Sequence, residues 1–355
     1  MRDVILFHTH GIGAFDFSVM NREQLVLVDR LAEQRHAYLC PTIYLKEERV
    51  RAQGQLFRSF AELKASGELR RFLGFAIEGP VLGPRGGIPR GSVWQPTYRQ
   101  WDELCSWFPL GLKYIVMAPD VLAIEDRVDE ELCFADLLSR IYDAGGRIAL
   151  GHFAGERPAD SARRTMDVLD YLEANYHTSR YLVLTDHLFN DMPRNFQHAF
   201  RGEVARRNRR QALLPLLAHP WDPSELESLL GPVPAVLVNA ARNERLTPAL
   251  NFDGGHVDLE ICRRVVEFLG NDRVIAMTDH TETLSLAGEP LTLDPEGTLL
   301  YRGDGVLAAS AVRHEQQVEN MRQLGMSAAS INRLFFETAL EALSFAPAPR
   351  GKAGS

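Results

Sequence analysis

Val4-Ile5-Leu6-Phe7-His8-Thr9-His10-Gly11 opens the chain with four apolar residues that run straight into two histidines. A short apolar run of this kind reads as a buried strand. The next segment, 21–36 (NREQLVLVDRLAEQRH), carries its apolar residues at helical spacing. The same pair then recurs. Strand candidates fall at 37–42, 72–77, 112–117, 147–151, 181–185 and 274–278, and helix candidates at 46–66, 98–108, 128–144, 159–176, 257–269 and 327–345. Strand and helix in alternation predict parallel β-α units. About eight units predict an α/β fold, a (β/α)₈ TIM-type barrel, with a doubly wound sheet as the alternative. For the seventh strand, 235–239 and 249–252 both qualify.

Barrels of this type often run long as one domain. A single barrel is therefore expected over 1–345, with an insertion at about 195–250 that forms a lid or a subunit contact over the barrel mouth. The Gly- and Pro-rich segment 79–97 reads as a long loop, and the tail 346–355 (APAPRGKAGS) as disordered. A net charge of −8 disfavours nucleic-acid and anionic-membrane partners. The one basic run, Arg206-Arg207-Asn208-Arg209-Arg210, reads as a solvated helix face. Cys40, Cys105, Cys133 and Cys262 show no C-x-x-C spacing and read as reduced thiols, consistent with a cytoplasmic protein. No apolar run is long enough to span a bilayer, and none near Met1 reads as a signal peptide. A homodimer is the expected assembly.

The chemistry is read from where polar residues meet strand ends, because a β/α barrel carries its site on the C-terminal rim of its strands. The first strand ends in His8-Thr9-His10, the third in Glu78, the fifth in His152, the sixth in Asp186-His187 and the eighth in Asp279. Taken singly, a histidine after a strand is more often a structural residue. Five strand ends bearing metal-type donors on one rim predict a metal site of His8, His10, Glu78, His152, His187 and Asp279. Imidazole with carboxylate suits one or two divalent ions, zinc first, iron or manganese as alternatives. His8 and His10 are two apart and share a side of the strand.

Taken together, the motifs resemble the N-acetylglucosamine-6-phosphate deacetylases of the amidohydrolase superfamily. His8-Thr9-His10-Gly11 with Asp16 resembles an H-x-H-G…D opening. Phe75-Ala76-Ile77-Glu78-Gly79-Pro80 resembles HLEGP, Met117-Ala118-Pro119-Asp120 LAPE, and Gly151-His152 GHS. His187-Leu188-Phe189-Asn190-Asp191-Met192-Pro193 resembles HL(Y/F)NAMP. Asp253-Gly254-Gly255-His256-Val257 is similar to DGxHV, and Thr278-Asp279 to TDA. The likeness runs in order from residue 8 to about 345.

The resemblance implies an enzyme that hydrolyses an N-acyl amide, N-acetyl first of all, on an amino sugar or related amine. It implies that Asp279 is the general base and then the acid, that His256 polarises the acyl carbonyl, and that Asn190 touches substrate. The alternative substrate is a cyclic amide, nucleobase or lactone. Departures fall on the substrate side: Phe153 stands for the Ser of GHS, His280 for the Ala of TDA, and Asp191 for the Ala of NAM. Asp191 and Arg194 are expected in substrate binding. A carboxylate at 191 disfavours a 6-phosphate, though Arg194 or Arg201 could answer one, and N-acetylglucosamine-6-phosphate itself stays open. The family's accessory β-sandwich is expected to be missing. His36 reads as a helix-end residue, His177, His198 and His314 as surface residues, His219 as a loop residue, and Trp101 with Trp107 as core.

Overall fold

Along the first strand, β1 (Val4–Ile12), side chains alternate between two layers. Ile5 and Phe7 pack into one cluster, while Val4 and Leu6 join another. The same period of two divides β2 (Ala37–Tyr44), β3 (Phe75–Glu78), β4 (Leu112–Met117), β5 (Ile148–Leu150), β6 (Leu184–His187), β7 (Thr247–Asn251) and β8 (Ile275–Met277). Cys40, Ala76, Tyr114, Val116, Ala149, Leu184, Ala249, Ile275 and Met277 face inward with Ile5 and Phe7. Leu39, Phe75, Ile115, Ile148, Val183, Leu250 and Val274 face the helices. Strands buried on both faces explain the near-continuous apolar runs.

The computed structural model describes residues 3–196, 202–295 and 297–351. The fold is mixed α/β with a parallel sheet. Each strand from β1 to β8 pairs in parallel with the next. After β8, Thr278 N–H donates to the Phe7 carbonyl at 3.1 Å and Asp279 N–H to that of His8 at 2.8 Å. The short strand β9 (His280–Thr281) then pairs with β1 in parallel. The run of strands thus returns to its start.

The helices α1 (Arg22–Gln34), α2 (Val50–Ala65), α3 (Tyr98–Cys105), α4 (Phe134–Asp143) and α5 (Pro158–Asn175) follow successive strands. Asn21 with Gln24 and Thr97 with Gln100 form capping boxes that start α1 and α3. The span 195–250 holds α6 (Gly202–Leu217), α7 (Leu226–Leu230) and α8 (Pro232–Arg242). Residues 235–239 therefore belong to a helix, and the seventh strand is Thr247–Asn251. Pro232 in the first turn suits a helix start, and Val233, Leu237 and Val238 are buried. α8 packs beside α5 and α9 (Leu259–Leu269), so this part of the span is an ordinary outer helix rather than a lid.

Two further departures concern the C-terminal third. Residues 285–310 form antiparallel strands β10 (Ser285–Leu286), β11 (Glu289–Leu293), β12 (Leu299–Arg302) and β13 (Leu307–Ser310), the last continuing onto β9. Ala287 and Gly288, at φ 51° and 79°, make the tight turn between β10 and β11. The helix expected at 327–345 runs without a break through Ala328–Asn332, a π-helical turn at Arg333–Glu337 and Thr338–Ser344, after an earlier helix at His314–Gln323. The tail is ordered through 350: Arg350 N–H donates to the Asn175 carbonyl at 2.8 Å and His177 N–H to that of Ala348 at 2.9 Å. Asn175 ends α5, and a helix end leaves carbonyls that such a segment can satisfy.

Candidate metal centre

Five of the eight strand ends deliver a side chain to one buried point. Glu78 arrives by simple alternation, since Ala76 is inward and Glu78 is two residues on. His8 and His10 do not, because the inward residues of β1 before them are Ile5 and Phe7. The pairing register of β1 shifts between Phe7 and Thr9, and His8 sits at φ 55°. This bulge re-phases the strand and turns both imidazoles inward. His152 at φ 50° and Asp279 at φ 44° use the same left-handed backbone. β6 shifts register against β7 just before His187. Left-handed non-glycine residues gathered around one site point to a functional constraint.

The donors fall into two groups that share Glu78. Oε2 of Glu78 lies 3.3 Å from His8 Nε2 and 3.5 Å from His10 Nε2. Oε1 meets His152 Nε2 in a short contact and lies 3.5 Å from His187 Nε2. The Nε2 atoms of His152 and His187 are 3.1 Å apart. Asp279 Oδ1 stands 3.3 Å from His10 Nε2 and 3.8 Å from His8 Nε2. Its Oδ2 is 3.4 Å from His256 Nε2. His10 Nδ1 lies 3.2 Å from the Thr42 carbonyl, which fixes the ring with Nε2 toward Glu78.

Burial opposes every charge here, and the charges persist only through one another. Burial lowers the His8 pKa, but Asp186 and then Glu78 outweigh it and hold the group at about 10. Burial likewise opposes His187, His152 and His256, yet their carboxylate neighbours raise all three. Burial works to raise Glu78, but His8 and His152 keep it well below the usual carboxylate range. Asp279 is held low against burial by His256, His10 and His187. His8 Nδ1 and Nε2, His10 Nε2, Glu78 Oε2 and both Asp186 oxygens have no hydrogen-bond partner, although all are buried. Buried polar atoms left so cost free energy unless something else pairs them. Converging imidazole nitrogens and carboxylate oxygens are the donor set of a zinc-, iron- or manganese-type ion, so the residues fit a divalent metal.

No protein-family profile and no curated protein matches the chain. Solved structures do. The N-acetyl-D-glucosamine-6-phosphate deacetylase of Mycobacterium smegmatis, in complex with N-acetyl-D-glucosamine-6-phosphate, superposes with a TM-score of 0.67 at 17% identity, over 98% of this chain and 78% of that one. The Thermotoga maritima deacetylase gives 0.68 at 15%, over 97% and 78%. The Pasteurella multocida enzyme gives 0.67 at 15%, over 96% and 76%. The chain has the fold of the N-acetylglucosamine-6-phosphate deacetylases.

Within this deacetylase fold, a cavity of about 200 Å³ opens onto the donors. His152, His187, His256 and Asp279 form its floor, and Asn190, Asp191 and Arg194 one wall. Tyr44, Gly87, Val306, Leu307 and Ala308 form the other. The predicted site residues are therefore together, with His8, His10 and Glu78 beneath. Asn190 is buried with both amide atoms unpaired. Asp191 Oδ2 lies 3.4 Å from His152 Nδ1. Nη1 of Arg194 donates to the carbonyls of Phe189 and Met192. Among the described residues, none that lines this cavity comes from 195–250.

Three residues were missed as site members. Asp186 is buried with its carboxylate among His8, His152 and His187. Leu184 faces inward, so the period of two along β6 was the signal for Asp186. Tyr44 stacks on His10 with centroids 5.0 Å apart, and Asp253 Oδ2 holds His256 Nδ1 at 2.6 Å. His314 is buried rather than at the surface, whereas His36, His177 and His219 are exposed. Trp101 and Trp107 are core residues. In the basic run, Arg209 binds Asp258, the cap of α9. His198 and Arg201 lie outside the described residues.

Proposed function

We propose that this chain is a metal-dependent amidohydrolase on a (β/α)₈ barrel, and that it removes the acyl group, acetyl first of all, from an amino sugar or related amine. The observation that carries the reading is the buried donor cluster of His8, His10, Glu78, His152, His187 and Asp279 at the floor of an open cavity. Likeness in fold to known deacetylases supports it. A divalent ion, zinc first, would supply Lewis acidity and bring a water's pKa toward 7.

The chain's own groups then divide the work. Asp279 stands between the donor cluster and His256, within reach of both an attacking water and the amide. It accepts the water's proton and passes it to the departing amine. Burial lowers the proton affinity of His256, but Asp253 and Asp279 outweigh it and raise its pKa above the ordinary value, which favours an Nε2–H that can donate to the oxyanion on the acyl carbon. Asn190 offers an unpaired amide to the substrate's polar groups.

The substrate is read as lacking a 6-phosphate. Asp191 lines the cavity about one-third exposed, and Arg194 has Nη1 engaged by two carbonyls. Like charges at 4 Å repel by about 4 kcal/mol at an effective dielectric near 20. The test compares kcat/KM of the zinc-loaded chain on N-acetylglucosamine, its 6-phosphate, an N-acetylated aminocyclitol and a hydantoin. Turnover of an unphosphorylated N-acetyl compound supports the reading. Preference for the phosphate ester, undiminished in Asp191→Ala, defeats the part played by Asp191, and turnover of the hydantoin alone defeats the acyl-amine assignment.

A further inference from the structure

Asp191 stands where the resembling motif has alanine, and its carboxylate faces His152 from the side away from the donor cluster. His152 turns Nε2 toward Glu78 Oε1 and leaves Nδ1 on the opposite edge of the ring. That nitrogen is buried without a hydrogen-bond partner, and Asp191 Oδ2 lies 3.4 Å from it. Three neighbouring rings show what such a nitrogen is given in this site. His10 Nδ1 lies 3.2 Å from the Thr42 carbonyl, His8 Nδ1 2.9 Å from Asp186 Oδ1, and His256 Nδ1 2.6 Å from Asp253 Oδ2.

The chain is shaped to hold the carboxylate there. Phe153, the residue after His152, donates its backbone N–H to the Asp191 carbonyl at 2.8 Å, so the two segments are tied beside the ring. Asp191 sits at φ 43°, a left-handed conformation that costs free energy in a non-glycine residue. The loop after β3 closes over the far side. A Cβ on Gly86 would lie 2.5 Å from Asp191 Oδ2 and 2.8 Å from Oδ1, so a side chain at 86 would push the carboxylate off His152. Gly86 itself is at φ 100°, where glycine alone is unstrained.

We propose that Asp191 is the positioning residue of His152: its carboxylate accepts the Nδ1 proton and so fixes the tautomer that offers Nε2 to a metal ion. This rests on the metal-dependent reading above and deepens it. A neutral imidazole carries one proton, so an acceptor at Nδ1 leaves the lone pair on Nε2. The 3.4 Å contact is about 0.5 Å longer than a closed N–H···O bond. The terminal torsion of an aspartate is broad, and a turn of the carboxylate closes that gap. Asp191 also forms part of the cavity wall with Asn190 and Arg194. One side chain thus faces the substrate's space and the back of a metal ligand, and a change at 191 reaches the metal as well as the substrate.

The test is zinc affinity, independent of turnover. The full chain and its variants are stripped with chelator, and zinc binding is measured by competition calorimetry. Asp191→Ala should bind zinc roughly 10–100-fold more weakly, the usual loss on removing an orienting partner. Asp191→Asn keeps an oxygen that can accept the Nδ1 proton, and should recover most of that loss. The metal-free proteins should share one Tm, because a partly exposed side chain is changed and no core packing is removed. A crystal structure of the zinc-loaded wild type needs no variant to fold, and should place Asp191 Oδ2 within about 3.2 Å of His152 Nδ1. Wild-type zinc affinity in Asp191→Ala overturns the proposal. So does an Asp191→Asn protein as weak as Asp191→Ala, which would make charge and not orientation the cause, or a loss of affinity that follows a loss of metal-free Tm. A carboxylate turned away from His152 in the loaded wild type overturns it too. In each of these cases a zinc-loaded wild type that deacylates leaves the amidohydrolase reading standing, whereas a wild type that takes no zinc removes both.

Discussion

Replacing Asp253 with Asn probes how His256 is prepared for the oxyanion. Asp253 Oδ1 accepts the backbone N–H of Gly255 at 2.8 Å and of His256 at 2.9 Å, and Oδ2 takes His256 Nδ1 at 2.6 Å. The carbonyl oxygen of an asparagine can keep both backbone bonds, so the loop should hold its shape. What is lost is the charge. His256 is raised above its ordinary value because Asp253, with Asp279, outweighs burial. Without Asp253 the ring turns neutral at lower pH and donates as an imidazole instead of an imidazolium. A hydrogen bond to a charged group is worth about 1.5–3 kcal/mol and a neutral one about 0.5–1.5. The difference, about 1–1.5 kcal/mol, is roughly tenfold in kcat.

His256→Ala removes the donor altogether and should cost about 10²–10³-fold. The sign in pH follows. The protonated ring is the active form, so activity is lost as pH rises through its pKa, and lowering that pKa in Asp253→Asn moves the alkaline limb to lower pH. Steady-state kinetics from pH 6 to 9, with metal content measured in parallel, is the assay. A metal-replete Asp253→Asn enzyme with wild-type kcat and an unmoved alkaline limb would refute the argument.

Asp279→Asn should fold and keep most of its metal yet lose at least ~10³-fold in kcat, as when a group that moves two protons is removed; wild-type turnover in the metal-replete variant would exclude it from proton transfer. Zinc uptake should release protons, because His8 is held near pKa 10 and must give up its proton to bind. Affinity should therefore rise with pH, and binding enthalpy should vary with the buffer's own ionisation enthalpy; identical enthalpies in phosphate and Tris would contradict this. Saturating zinc should raise Tm, since an ion that binds only the folded chain at 100 times its Kd adds about 2.7 kcal/mol. An unchanged Tm in a chain shown to bind zinc would mean that the cluster forms without the fold.

The parallel part of the fold was legible because strands buried on both faces are written as apolar runs, and the helices between them as amphipathic ones. Legibility failed where those signals compete. Val236 to Val238 looks like a strand, but Pro232 opens a helix there and a partner layer on each side accepts its apolar faces. The strands at 285–310 are short and polar on one face, so no run stands out. Their mark was Asp304-Gly305, a turn pair between Leu299–Arg302 and Leu307–Ser310. The tail looked disordered by composition, yet composition does not report an open helix end that its backbone can cap.

The candidate site was legible for a different reason than the one first used. Counting by twos from His8 to His10 predicts that they share a side, and they do, but the same count from Ile5 and Phe7 would send both outward. A bulge at His8 reverses the phase, as left-handed residues do at His152 and Asp279. Each such residue costs about 1–2 kcal/mol, and nothing in a residue's identity announces it. Asp186 is the converse. It follows the plain alternation from Leu184, needs no distortion, and was overlooked because His187 beside it is the better-known ligand type. Strand phase and strand-end chemistry are therefore separate signals. Read together along β6, they bring Asp186 and His187 to one point from adjacent positions, which an undistorted strand cannot do. The register shift between Leu184 and His187 is what reconciles them, and it places a carboxylate and an imidazole of neighbouring residues on the same cation-seeking cluster.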